Sequence, residues 1–126
     1  MTIKLSQKEF DRAVKRAFNR IPVEIRDHLE NVVIAVRKRP SKEMLEELGM
    51  TPHNPPLGLY QGASLMGRSV FAPPLYPDTI FIFQEPLEGM CSTLGELERE
   101  IEITVVHEVA HFLGIGEDRL SELGYG

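Results

Sequence analysis

The chain has no tryptophan, one cysteine and three tyrosines in 126 residues. A single cysteine excludes an internal disulfide framework, so the core must be held by packing alone. Cys91 could act as a nucleophile only with a histidine or cation close enough to activate its thiol. The sequence favours a small residue in the loop before a helix. No apolar run approaches the roughly 20 residues that cross a bilayer, which excludes a transmembrane helix. The opening stretch MTIKLSQKEFDRAVKR interleaves charges where a secretory signal carries an unbroken apolar region. A cytoplasmic protein without a membrane partner is expected. Excess positive charge is missing too: 14 Lys and Arg against 19 Asp and Glu leave a net charge of −5. That balance argues against broad binding to nucleic acid, and none is expected as a partner. The one basic cluster, Arg37, Lys38, Arg39 and Lys42 around Pro40, reads as the solvated end of a strand. With no repeats, low-complexity tracts or linkers, residues 1–126 are read as one domain.

What the chain does have is clear punctuation. Ser6 and Glu9 form an S-x-x-E capping box, and Phe10, Ala13, Val14, Ala17, Phe18 and Ile21 follow at helical spacing, which predicts a helix over 7–20. Pro22 stops it or restarts a short helical segment through Val23, Ile25 and Leu29. Val32 to Val36 is a β-branched run of strand type, expected at the centre of a sheet. Ser41 caps a second helix that Gly49 closes. After the prolines of Thr51 to Pro56, Leu57 to Gly62 (LGLYQG) reads as a short strand. Thr79 to Gln84 (TIFIFQ) follows as a strand with both faces buried, and Ser69 to Phe71 is a candidate for one more. Thr93 and Glu96 repeat the capping box and open a helix running to Leu113, with a core stripe of Leu94, Leu97, Ile101, Val105, Val109 and Phe112. Helices around three or four strands, not strictly alternating, argue for an α+β domain.

That last helix carries HEVAHFLGIGED, residues 107–118. Positions four apart lie one turn above each other, since an α-helix advances about 100° per residue. The His107 and His111 imidazoles can therefore reach one divalent ion, zinc before others. Glu108 lies on the same turn and can hold the attacking water as general base without being a ligand. Gly114 can end the helix in a left-handed turn, so that the chain doubles back with two acids, Glu117 and Asp118, as candidates for a third ligand. A burial account gives no reason for three ionisable groups on one turn of a core-packed helix. His28 and His53, on a polar helix face and in the TPHNPP loop, read as solvated.

HEVAHFLGIGEDRL, in a chain this short and close to its C-terminal end, resembles the minimal zincins, small bacterial zincin-like metallopeptidases with the motif HExxHxxGxxD. The resemblance implies an α+β zincin-like domain in which a small mixed sheet packs against helices and the metal helix lies near the C-terminus. By position, it assigns His107 and His111 as zinc ligands, Glu108 as the base and Gly114 as the turn. The family's aspartate falls on Glu117, with Asp118 as the alternative third ligand and Glu122 as a weaker one. The methionine turn of the larger metzincins has no counterpart after Arg119, so support beneath the metal must come from residues such as Leu120, Leu123 or Tyr125.

The implied activity is zinc-dependent hydrolysis of a peptide or amide bond, with a peptide or protein substrate that could pair with an exposed strand edge at Leu57 to Gly62. Tyr60, Tyr76, Arg119 and Tyr125 are candidate oxyanion donors that read more simply as packing or surface. One alternative is a binding or regulatory module that keeps the scaffold with a weak or empty site. Another is a metal-dependent endoribonuclease of the HxxxHxxGxDH type, against which Glu108 and the acidic charge both argue. The sequence sets no oligomeric state.

Overall fold

The computed structural model describes residues 1–62 and 78–125. Helix α1 (Gln7–Arg20) begins at the expected capping box, in which the Ser6 hydroxyl accepts from the Glu9 amide and the Glu9 carboxylate accepts from the Ser6 amide. Ile21 leaves helical geometry ahead of Pro22, and the chain resumes as α2 (Val23–Arg26) and a 3-10 turn (Asp27–Leu29) that buries Ile25 and Leu29. Strand β1 (Val32–Arg37) follows, then α3 (Lys42–Leu48), capped by Ser41 and closed by Gly49 at φ 67°. A left-handed residue there costs glycine nothing and would strain any other side chain. Strands β2 (Gly58–Gln61) and β3 (Asp78–Phe83) lead into α4 (Gln84–Glu88), the long α5 (Leu94–Leu113) and α6 (Glu117–Glu122).

The sheet has the order β1-β3-β2, with β1 parallel and β2 antiparallel to β3. It is mixed and packs against helices, giving the α+β architecture expected. The candidate strand at Ser69 to Phe71 lies outside the described residues, as does Tyr76. One expectation is corrected: among the described residues, the β-branched run at Val32 to Val36 forms an edge strand, and TIFIFQ is the central one. A β-branched run reports a strand with a face to bury and does not report how many neighbours it has. Central position goes with the deepest burial, and in β3 Ile80, Ile82 and Phe83 are fully buried.

TIFIFQ ends as a strand at Phe83, and Gln84 opens α4, where its side-chain amide donates to the Leu5 carbonyl and to Glu88. Nor is the strand uniformly covered, because Phe81 is only partly buried, with the Arg37 guanidinium 5.4 Å above its ring. Helix α5 lies over β2 and β3 with α1 beside it. Leu97, Ile101, Val105 and Val109 are buried as the stripe predicted. Leu94, the first residue after the cap, is instead 41% exposed because the helix has not yet reached the core there. Phe112 is half-buried and stacks on Tyr60 of β2, ring centroids 4.1 Å apart.

Candidate active site

The chemistry-bearing turn lies in the second half of α5, where the helix crosses β2. Gly58 sets how closely the two elements approach. A Cβ built on it would stand 2.6 Å from Thr104 Cγ2, 2.9 Å from the Phe81 carbonyl oxygen and 3.8 Å from Glu108 Cγ. The strand backbone therefore lies against the helix with no room for a side chain.

Glu108 is half-buried at this crossing. Burial pushes its carboxyl above the ordinary 4.5, opposed first by the nearby His111 imidazole, then by the hydrogen bond from the Tyr60 backbone amide and by His107. The Leu57 carbonyl accepts from the Phe83 amide of the neighbouring strand. Alternation along an antiparallel strand then turns the backbone groups of Gly58 and Tyr60 to the other edge. Glu108 thus takes one of the amides that β2 directs away from the sheet. A cavity of about 350 Å³ opens beside it, with Leu57 and Gly58 on one wall and Ile103, Thr104 and His107 on the other.

The two histidines differ. His111 is exposed, its Nδ1 3.8 Å from the Glu108 carboxylate. His107 is half-buried, and its Nε2 lies 2.7 Å from the carbonyl oxygen of Tyr125. A carbonyl only accepts, so Nε2 carries the proton in this contact and the neutral ring keeps its lone pair on Nδ1. Helix α5 ends at Gly114 at φ 73°, the left-handed turn expected. The chain then enters α6, whose first turn carries Glu117 and Asp118, both exposed. Among the described residues, no three His, Cys, Asp or Glu side chains are gathered closely enough to hold an ion. The donor types nevertheless suit a divalent metal: two imidazoles one helical turn apart, with carboxylates on the next element. The structure therefore assembles the His107, Glu108 and His111 turn and leaves Glu117 and Asp118 at the surface of α6.

The C-terminal tail is anchored beneath this turn. Leu120 and Tyr125 are buried and Leu123 packs on the core. The Tyr125 hydroxyl donates to the buried Glu102, Arg99 donates to Glu102 and to the Gly124 carbonyl, and the Arg99 guanidinium lies over the Tyr125 ring. Burial, then the bond to Glu102, pushes the Tyr125 phenol up to about 12. Sequence reasoning missed this tether, whose one visible signal is the aromatic residue near the end of the chain.

The candidate oxyanion donors are committed elsewhere. The Tyr60 hydroxyl donates to Asp78, and Arg119 bridges Glu24 and Glu122. Cys91 is buried, and that burial pushes its thiol up, the reverse of what a nucleophile needs. His28 and His53 are exposed.

A family model described as a zincin-like metallopeptidase matches residues 29–126. The chain belongs to the zincin-like metallopeptidase family. The match runs from the end of the 3-10 turn through all three strands and the HEVAH helix to the tail, so it covers far more than the 107–120 signature, and it leaves α1 outside. No curated protein matches the chain. A zinc or other divalent cofactor is what this zincin-like family implies. No helix among the described residues is long and apolar enough to cross a membrane.

Proposed function

We propose that the chain is a metal-dependent peptidase in which Glu108 is the general base and His107, His111 and Glu117 hold the metal, with Asp118 as the alternative to Glu117. The observation that carries this reading is the setting of Glu108. It is a half-desolvated carboxylate between two imidazoles, held by a strand-edge amide and bordered by a cavity of about 350 Å³. A divalent ion bound there, zinc by the preference of imidazole and carboxylate donors, supplies Lewis-acid polarisation of the scissile carbonyl and a more acidic water.

The chain's own residues do the rest. Glu108 takes a proton from the attacking water and delivers it to the leaving amine, a cycle for which a raised carboxyl value is suited. An extended peptide lies along the edge of β2 that no described strand covers, using backbone groups of Gly58 and competing with Glu108 for the Tyr60 amide. The cavity between Leu57 and Ile103 receives one substrate side chain. In this reading His107 gives up its contact with Tyr125, or presents Nδ1, when it binds the ion.

The test is peptide cleavage by Glu108→Gln with metal content measured in the same sample. Cleavage should fall about 10²- to 10⁴-fold with metal retained, the range for loss of a general base. Unchanged cleavage with metal bound would sink the assignment. A second reading, a zincin scaffold serving as a binding or regulatory module, is favoured by His107 being tied to Tyr125 and by the exposed position of both acids of α6. Stoichiometric metal that is lost in His107→Ala counts against that reading.

A further inference from the structure

The edge of the sheet opposite the candidate active site carries a feature that peptide hydrolysis does not use. In the order β1-β3-β2, β1 has a strand on one side only among the described residues. Its six residues pair with β3 in unbroken register, and it contains no proline, bulge or lysine. Those are the devices that normally blunt an exposed edge. The single charge in β1, Arg37, sits over Phe81 and leaves the edge itself apolar. Beside this edge a groove of about 710 Å³ runs between β1 and α1, with Ile34 and Val36 as its floor, Val14 and Phe18 as its wall, and Asp11 and Lys15 on its rim.

The charges around this edge are self-complementary. Pairing β1 antiparallel with its own copy, with Ile34 on the two-fold axis, sets Val32 opposite Val36 of the second copy. Side chains directly opposite in an antiparallel pair share a face, so both helix layers fall on the same side of the joined sheet. Above the seam the two α1 helices run antiparallel, so Asp11 meets Lys15 of the second copy twice. Neither Asp11 nor Lys15 makes an ion pair within the described residues. An extended segment of an unrelated protein has no reason to match this alternation of sign.

We propose that β1 is a homodimer seam. Two copies join edge to edge into one six-stranded sheet of order β2-β3-β1-β1-β3-β2, and the two α1–β1 grooves close on each other. The apolar edge provides the drive, and the paired charges fix the register. The β2 edges lie at the far ends, away from the seam, so each copy keeps its own candidate active site.

Sedimentation equilibrium of the full chain from micromolar to millimolar concentration tests the proposal. The expected result is a dimer whose dissociation constant rises about tenfold or more in Lys15→Asp, through two new like-charge contacts, and returns close to the original in Asp11→Lys/Lys15→Asp. Lys15 is exposed and Asp11 half-buried on the rim, and circular dichroism checks that each variant is folded. An independent readout of register is Ile34→Cys, which should form a symmetric disulfide under mild oxidation because opposed residues at an antiparallel seam come within disulfide reach. Three results would overturn the proposal: a monomer throughout the range, a dimer indifferent to Lys15→Asp, and a weakened dimer that the charge swap does not restore.

Discussion

The two halves of α5 treat their acids in opposite ways. In the first half, Glu98 and Glu102 are buried, only 4% and 5% exposed. Each is fully engaged: Arg16 and Arg20 take the two oxygens of Glu98, while Arg99 and the Tyr125 hydroxyl converge on Glu102. In the second half, Glu108 is less buried but has one backbone amide and a histidine at 3.8 Å. The first half shows what a structural carboxylate looks like, with its desolvation offset by strong partners. Glu108 has desolvation without matching compensation, the condition that raises a carboxyl and leaves it able to exchange a proton.

The largest effect expected from breaking this contrast is in the first half. Arg16→Ala/Arg20→Ala strips Glu98 of both partners and should cost about 3 kcal/mol in urea unfolding, the low end for an uncompensated buried charge because the half-exposed arginines let water follow. The Arg39–Glu85 pair serves as control. It is doubly hydrogen-bonded but its side chains are 69% and 50% exposed, so Arg39→Ala should cost far less than the double substitution beside Glu98. Equal costs for the two would erase the distinction between buried and exposed acids drawn here. A smaller effect is expected at the tail. Tyr125→Phe removes one of the two donors to Glu102 and should cost about 2 kcal/mol, the scale of a hydrogen bond to a charged group. No measurable loss would mean that Arg99 alone satisfies Glu102.

The same contrast marks what was legible in the sequence. The ends of α1, α3 and α5 could be read because capping boxes and closing glycines act over three or four residues. The His107, Glu108 and His111 turn was legible for the same reason, since i,i+4 geometry is fixed once the helix is. Pairing was not: whether Val32 to Val36 is central or at an edge depends on where β3 lands, some 45 positions along the chain by the register of Val33 with Thr79. Nor were Glu98 and Glu102 legible as buried, because residue type assigns a carboxylate to water. The hint was on another element, in the spacing of Arg16 and Arg20 one turn apart on α1. The position of Glu117 and Asp118 relative to the histidines depends on how α6 and the tail fold back after Gly114, and those contacts are long-range.

The subtlest consequence concerns Glu108 and pH. Its folded carboxyl value is raised, chiefly by burial, above the ordinary 4.5 of the unfolded chain. Below that ordinary value the acid is protonated in both states and imposes no penalty. As pH rises through the window up to the folded value, the unfolded chain releases its proton first, so the native state loses stability, and above the window the loss is complete. Glutamine at this position has no proton to lose. In chelator-treated protein, Glu108→Gln should therefore match the parent near pH 4 and be the more stable of the two at neutral pH, as expected when the strain of a functional site is relieved. Thermal unfolding from pH 4 to 8 reads the difference. A gap that does not change with pH would mean that burial at the β2 crossing leaves the Glu108 proton untouched, and the contrast between the two halves of α5 would then be one of packing alone.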